Sequence, residues 1–127
     1  MMRNLVRALV ALVGLFNLAI GLGFLLDPAL LGAKFFLSPA GIQGLATIRA
    51  DFPAFFLTGG AFALYGAWRG LAGPLLYPLV MLATALTGRF ISLAVDGVSP
   101  TAFPPMAVEA GMIIVLLIGR SALTPRR

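Results

Sequence analysis

Five charged side chains stand where this sequence is otherwise fit for lipid: Arg49, Asp51, Arg89, Asp96 and Glu109. Arginines and carboxylates in apolar surroundings can do three things. They can pair, bind a polar or charged molecule, or pass protons. Arg49, Arg89, Asp51 and Glu109 sum to zero, which favours pairing. The planar guanidinium fork suits a carboxylate better than a lysine ammonium would. The expected pairs are Arg89 with Glu109, and Arg49 with a carboxylate. As a clasp, such a network sets which helix sits beside which. As a site, it lines a polar pocket for an anionic or amphipathic small molecule.

Other chemistry has less support. With no cysteine there is no thiolate metal site, disulfide or thiol redox chemistry. With no histidine, the commonest metal ligand and near-neutral acid–base group are missing too. Arginines interleaved among the carboxylates compete with a cation for the same oxygens, so no metal site is assigned. No serine, threonine or lysine stands beside a plausible base, so no catalytic residue is assigned and the reading leans away from an enzyme. The glycines form no phosphate loop, and no cofactor is implied.

The elements that position these charges follow from composition. Of the 127 residues, 61% are hydrophobic and only 10% charged, too few charges to coat a soluble globule of one domain. The net charge of +5 sits mostly at the ends of apolar runs, not in a nucleic-acid patch. The chain therefore reads as all-α: an integral membrane four-helix bundle in a single domain, residues 1–127, in contact with the lipid bilayer.

The first span covers about 5–26. Its apolar run is too long for a signal-peptide core and lacks an Ala-x-Ala site before Asp27. At ~1.5 Å per residue it crosses a ~30 Å hydrocarbon layer. Gly14, Asn17 and Gly21 give it a small, weakly polar face for a neighbouring helix, with Asn17 as interhelical glue. Asp27-Pro28 is a helix start, and residues 28–37 form a short interfacial segment that lies on the membrane or folds back over the bundle. Ser38-Pro39 repeats that start signal, so a helix is expected to begin well before the apolar part of the second span.

The second span, about 50–68, carries Pro53, which predicts a kink or a fresh helix start capped by Asp51. Gly59, Gly60, Ala63 and Ala67 offer a packing face, while Tyr65 and Trp68 suit an interface. The third span, about 75–95, aligns Ala85, Arg89, Ser92 and Asp96 on one face. Asp96-Gly97 closes it. After a proline-punctuated loop, the fourth span, about 106–122, carries Glu109 one turn in, and a basic tail follows.

Arg3, Arg7, Arg69, Arg120, Arg126 and Arg127 fall on one side of this topology, and only Lys34 lies in the loops of the other. The positive-inside rule then places both termini in the cytoplasm of a bacterial inner membrane. All five embedded charges fall in the outer half of the bundle. A proton-coupled small multidrug exporter would also have four spans, but it carries a glutamate in the first helix, where this chain has only Asn17.

The series Ile48-Arg49-Ala50-Asp51-Phe52, Gly88-Arg89-Phe90, Asp96-Gly97 and Val108-Glu109 covers most of the chain in order. In it the sequence resembles a family of uncharacterised bacterial four-helix membrane proteins, domain of unknown function 4345. That family often has a small residue after the aromatic of Arg-Ala-Asp, where Pro53 stands here. The resemblance implies the four-span fold and the same charged positions, with no established activity. The leading expectation is a structural or accessory membrane protein. Its small-residue faces would pack against a membrane-protein partner or a second copy, not against nucleic acid. The alternative is a binder or carrier of a small amphipathic or anionic molecule at the charge cluster.

Overall fold

A computed structural model describes residues 1–124 of the chain, so the basic tail Pro125-Arg126-Arg127 lies outside the described residues. The described residues are all-helical: α1 (Met2–Leu26), α2 (Pro28–Lys34), α3 (Gly41–Arg69), α4 (Leu76–Val95) and α5 (Phe103–Ala122). One-turn 3₁₀ segments, Gly73–Leu75 and Pro100–Ala102, lead into α4 and α5. By length and composition, α1, Gly73–Val95 and Pro100–Ala122 can each cross a membrane. Their outward faces carry Leu5, Leu12, Val80, Ile91, Ile114 and Leu117 exposed. An apolar coat of that extent suits lipid as the surrounding solvent.

Local chemistry explains most of the boundaries. Asp27 serves two helices: its backbone N–H donates to the Gly23 carbonyl at the end of α1, and its carboxylate accepts from the Leu30 N–H at 3.0 Å. Pro28 takes the first position of α2, where its missing donor costs nothing. Gly70 ends α3 with φ +66°, a left-handed conformation that glycine adopts without penalty, and the Leu71 N–H reaches back to the Gly66 carbonyl. Gly97, with φ +106°, follows α4.

Two boundaries differ from expectation. Helix α3 starts at Gly41 and runs unbroken through Pro53, so Asp51 caps nothing and the early start near Pro39 holds without a side-chain cap. Helix α5 starts at Phe103, with its prolines in the first turn. Glu109 therefore stands nearly two turns in, not one.

The long helices run alternately up and down. Gly14 faces Gly60 and Leu64, and Gly21 faces Leu57, which makes α1 and α3 antiparallel. Gly59 meets Met81 while Gly66 meets Leu75, so α4 opposes α3. Asn17 meets Met112 while Gly119 meets Val10, so α5 opposes α1. Contacts of α4 with α5 close the ring. The α1–α3 seam is the tightest. A Cβ placed on Gly60 would lie 2.8 Å from the Gly14 carbonyl oxygen, so only glycine permits this approach.

Packing is uneven along the axis. At the end where α1 begins, Val6, Val10, Ala63, Leu75 and Leu116 form a close core. Arg7 fastens that end by donating to the last-turn carbonyls of α3, from Nε to Ala67 at 2.7 Å and from Nη2 to Trp68 at 2.6 Å. Arg120 does the same to the Ala72 carbonyl, at 3.1 Å. Ala72 and Gly70 also exchange backbone hydrogen bonds with Thr124. Arg7 thus satisfies carbonyls in the last turn of α3, and Arg120 ties α5 to the loop that follows α3. The opposite end is hollow.

Candidate functional site

At that hollow end, α1 finishes, α3 begins, α4 finishes and α5 begins. A chamber of about 470 Å³ opens there between all four helices. Its floor is Leu82, the last large residue of the close core. Exposed Phe16 on α1 and Val108 on α5 mark its rim.

One wall is aromatic, because α3 carries Phe52, Phe55 and Phe56 at helical spacing on the face next to Asp51. Phe35 reaches the same wall because α2 folds back against α1 and α3. Behind these rings Phe24 is fully buried, with ring centroids 4.8 Å from Phe52, 5.1 Å from Phe35 and 5.9 Å from Phe56. Phe55 meets Phe56 edge-on at 5.1 Å. Offset and edge-to-face rings at these separations hold one another in place. The wall joins three helices' worth of sequence, with Phe24 and Phe52 in contact although 28 residues apart.

Opposite the rings stands the ion pair. Arg89 on α4 donates from Nε to both oxygens of Glu109 on α5, at 2.8 and 2.9 Å. The Glu109 residue is 8% exposed and the Arg89 side chain 35%, so the carboxylate is the buried partner. Contact through Nε alone leaves both terminal guanidinium nitrogens of Arg89 without a hydrogen bond among the described residues. Asp51 completes the charged lining from α3. Its carboxylate accepts no hydrogen bond and joins no ion pair among the described residues.

Of the five charged positions singled out in the sequence, three line the chamber and two do not. Arg49 leaves the cluster: its Nη1 donates to the Leu25 carbonyl at 2.8 Å instead of to a carboxylate. Leu25 lies in the last turn of α1, whose carbonyls lack partners of their own, and a guanidinium is a strong donor to them. Asp96 leaves it too. It accepts from the Ser92 hydroxyl one turn back on the same helix and is exposed beyond the chamber. The pairing of Arg89 with Glu109 matches expectation, and Ala85 and Arg89 share the chamber-facing side of α4.

Asn17 lies just beneath the chamber, between lining residues Phe16 and Ile20. It is 1% exposed, and its Nδ2 donates to the Val13 carbonyl at 2.8 Å and to Met112 Sδ at 3.5 Å. Its Oδ1 is buried without a partner. The glue role assigned to Asn17 is therefore half made, across α1 and α5 through a weak sulfur acceptor.

Sequence reasoning did not pick out the phenylalanines. The signal was available in Phe52-x-x-Phe55-Phe56, which follows Asp51 directly. In a chain this apolar, that spacing is indistinguishable from ordinary core until the facing helices are placed. No metal-binding group of three or more carboxylates, histidines or cysteines forms among the described residues. The chain matches no protein-family model, no curated protein and no solved structure.

Proposed function

We propose that the chain is a membrane-embedded binder or carrier of a small amphipathic molecule, held in the chamber between α1, α3, α4 and α5. The observation that carries this reading is the chamber itself. Ligand sites are concave, mostly apolar and supplied with a few placed polar groups, and about 470 Å³ falls within their usual range. Here the apolar part is a phenylalanine wall and the polar part is Asp51 with the Arg89–Glu109 pair. A clasp alone accounts for the pair. It does not account for a cavity beside it, because an empty space in a helical bundle forfeits packing.

This reading rests on a membrane setting. The apolar coat and three membrane-capable helices support it. α3 is the fourth span: its stretch from Phe52 to Trp68 is uncharged, and it lies within the ring formed by the other three. The bundle is then a four-helix one with both termini in the cytoplasm of a bacterial inner membrane, since Arg3, Arg7, Arg69 and Arg120 gather at one end. The chamber lies in the outer half, with an apolar rim at Phe16 and Val108 through which an amphipathic molecule passes from the lipid. The resemblance to the domain of unknown function 4345 family, carried by Arg49-Ala50-Asp51, Gly88-Arg89 and Val108-Glu109, supports the four-span reading.

The second reading, a structural or accessory membrane component, is favoured by the Arg89–Glu109 clasp between α4 and α5. Native mass spectrometry of protein purified in mild detergent separates the two. A binder releases a small apolar-bodied molecule from the wild type and none from Ala85→Trp, which puts an indole at the chamber wall beside Arg89. The accessory reading predicts identical spectra for both.

A further inference from the structure

The sequence implies a neutral cluster, and the chamber is not neutral. Arg49 would have balanced Asp51, but its guanidinium is turned onto the Leu25 carbonyl at 2.8 Å and does not line the cavity. The charged side chains that do line it are Asp51, Arg89 and Glu109. Arg89 is neutralised by the two oxygens of Glu109, at 2.8 and 2.9 Å. What remains is one carboxylate, Asp51, with no protein partner among the described residues.

Aromatic side chains line the same chamber: Phe52, Phe55 and Phe56 on the helix that carries Asp51, and Phe35 beside them. Aromatic rings attract cations through their quadrupole, and the attraction grows when the cation is stripped of water. Asp51 itself is exposed at the edge of the chamber, where a ligand's cation can reach it. The terminal nitrogens of Arg89 pull the other way, toward an anion. Yet the guanidinium charge is already matched by Glu109, whereas that of Asp51 is not.

We propose that the chamber selects organic cations, in the form of a quaternary ammonium, phosphonium or protonated amine carrying an apolar body. The cation sits between the Asp51 carboxylate and the phenylalanine rings, and the apolar body lies toward Leu82. This inference rests on the binding function proposed above and adds the sign of the ligand's charge.

The test uses two probes of matched shape and opposite charge, tetraphenylphosphonium and tetraphenylborate. Each is titrated calorimetrically into the full-length protein in a neutral maltoside detergent. The expected result is phosphonium binding tighter than borate by about tenfold or more. Asp51→Asn should remove most of that preference without shifting the ligand-free melting temperature, because Asp51 supports no hydrogen bond of the fold. Ala85→Trp should abolish binding, with Val108→Trp in its place if the first variant does not fold.

Borate binding as tight as phosphonium or tighter, and lost in the tryptophan variant, overturns the cation inference while the binding function stands. A preference for phosphonium that survives Asp51→Asn overturns it as well. Absence of binding by either probe, or binding indifferent to the tryptophan variants, removes both this inference and the function it rests on.

Discussion

Arg89 and Glu109 meet because each has no better partner on its own helix, and a bare charge among apolar helices costs several kcal/mol. Truncating one member leaves the other uncompensated, which hurts more than removing both. Arg89→Ala is therefore expected to lower stability by roughly 1–3 kcal/mol, a value discounted for the partial exposure of the arginine. Replacing both residues by leucine should recover most of the loss. Melting temperatures of the three variants in one detergent check this, and a double variant no more stable than Arg89→Ala would contradict it.

Arg49 and Asp51 make a sharper contrast, two residues apart. Arg49→Ala deletes a bond to an otherwise unpaired helix carbonyl and should cost about 1 kcal/mol. Asp51→Asn touches no bond of the fold and should stay within about 0.5 kcal/mol of wild type. The same comparison explains what could be read from the sequence at this scale. Arg89 and Glu109 were legible as partners because antiparallel threading brings them level. Arg49 and Asp96 were not, because each found a closer partner that charge counting ignores: the Leu25 carbonyl and the Ser92 hydroxyl.

At the scale of the element, the α1–α3 seam does most to fix the arrangement. Gly14 and Gly60 bring two backbones together where a single methyl has no room, with a Cβ on either glycine 3.0 Å or less from the opposing carbonyl oxygen. Gly60→Ala should cost about 1–3 kcal/mol through overpacking. Gly111→Ala is the control, since a Cβ there meets nothing within 4 Å and α5 gains helix propensity. Thermal unfolding of the two variants should move in opposite directions. The small-residue face of α1 was visible in the sequence from Gly14 and Gly21. The unbroken course of α3 through Pro53 was not. Its buried ring packs among neighbours, and tertiary contact overrides the local preference for a break.

For the whole molecule, one end is stitched and the other is hollow. Arg7, Arg120 and Thr124 tie the terminal carbonyls and backbone at the first end, around a close core. The second end carries rings and a charge pair that leave a cavity between them. Composition already pointed to a membrane protein, and the arginines at the ends of the apolar runs carry the orientation proposed above. A polar pocket was one of two readings of the charges. Its phenylalanine wall and its size were not legible, because empty space between helices leaves no mark on any single segment. Orientation can be tested directly, since the chain has no cysteine. A single Lys34→Cys should react with an impermeant maleimide on intact cells whose outer membrane is opened, and Arg69→Cys only after lysis. The reverse pattern would turn the chamber toward the cytoplasm.

The central claim is that the chamber is a binding site, and its most direct test is an experimental structure of the protein in lipid nanodiscs. The account predicts continuous non-protein density between Phe35, Phe52 and Phe56 on one side and the Arg89–Glu109 pair on the other. A chamber collapsed shut, with Leu82 meeting the phenylalanine rings and no density between them, would contradict it.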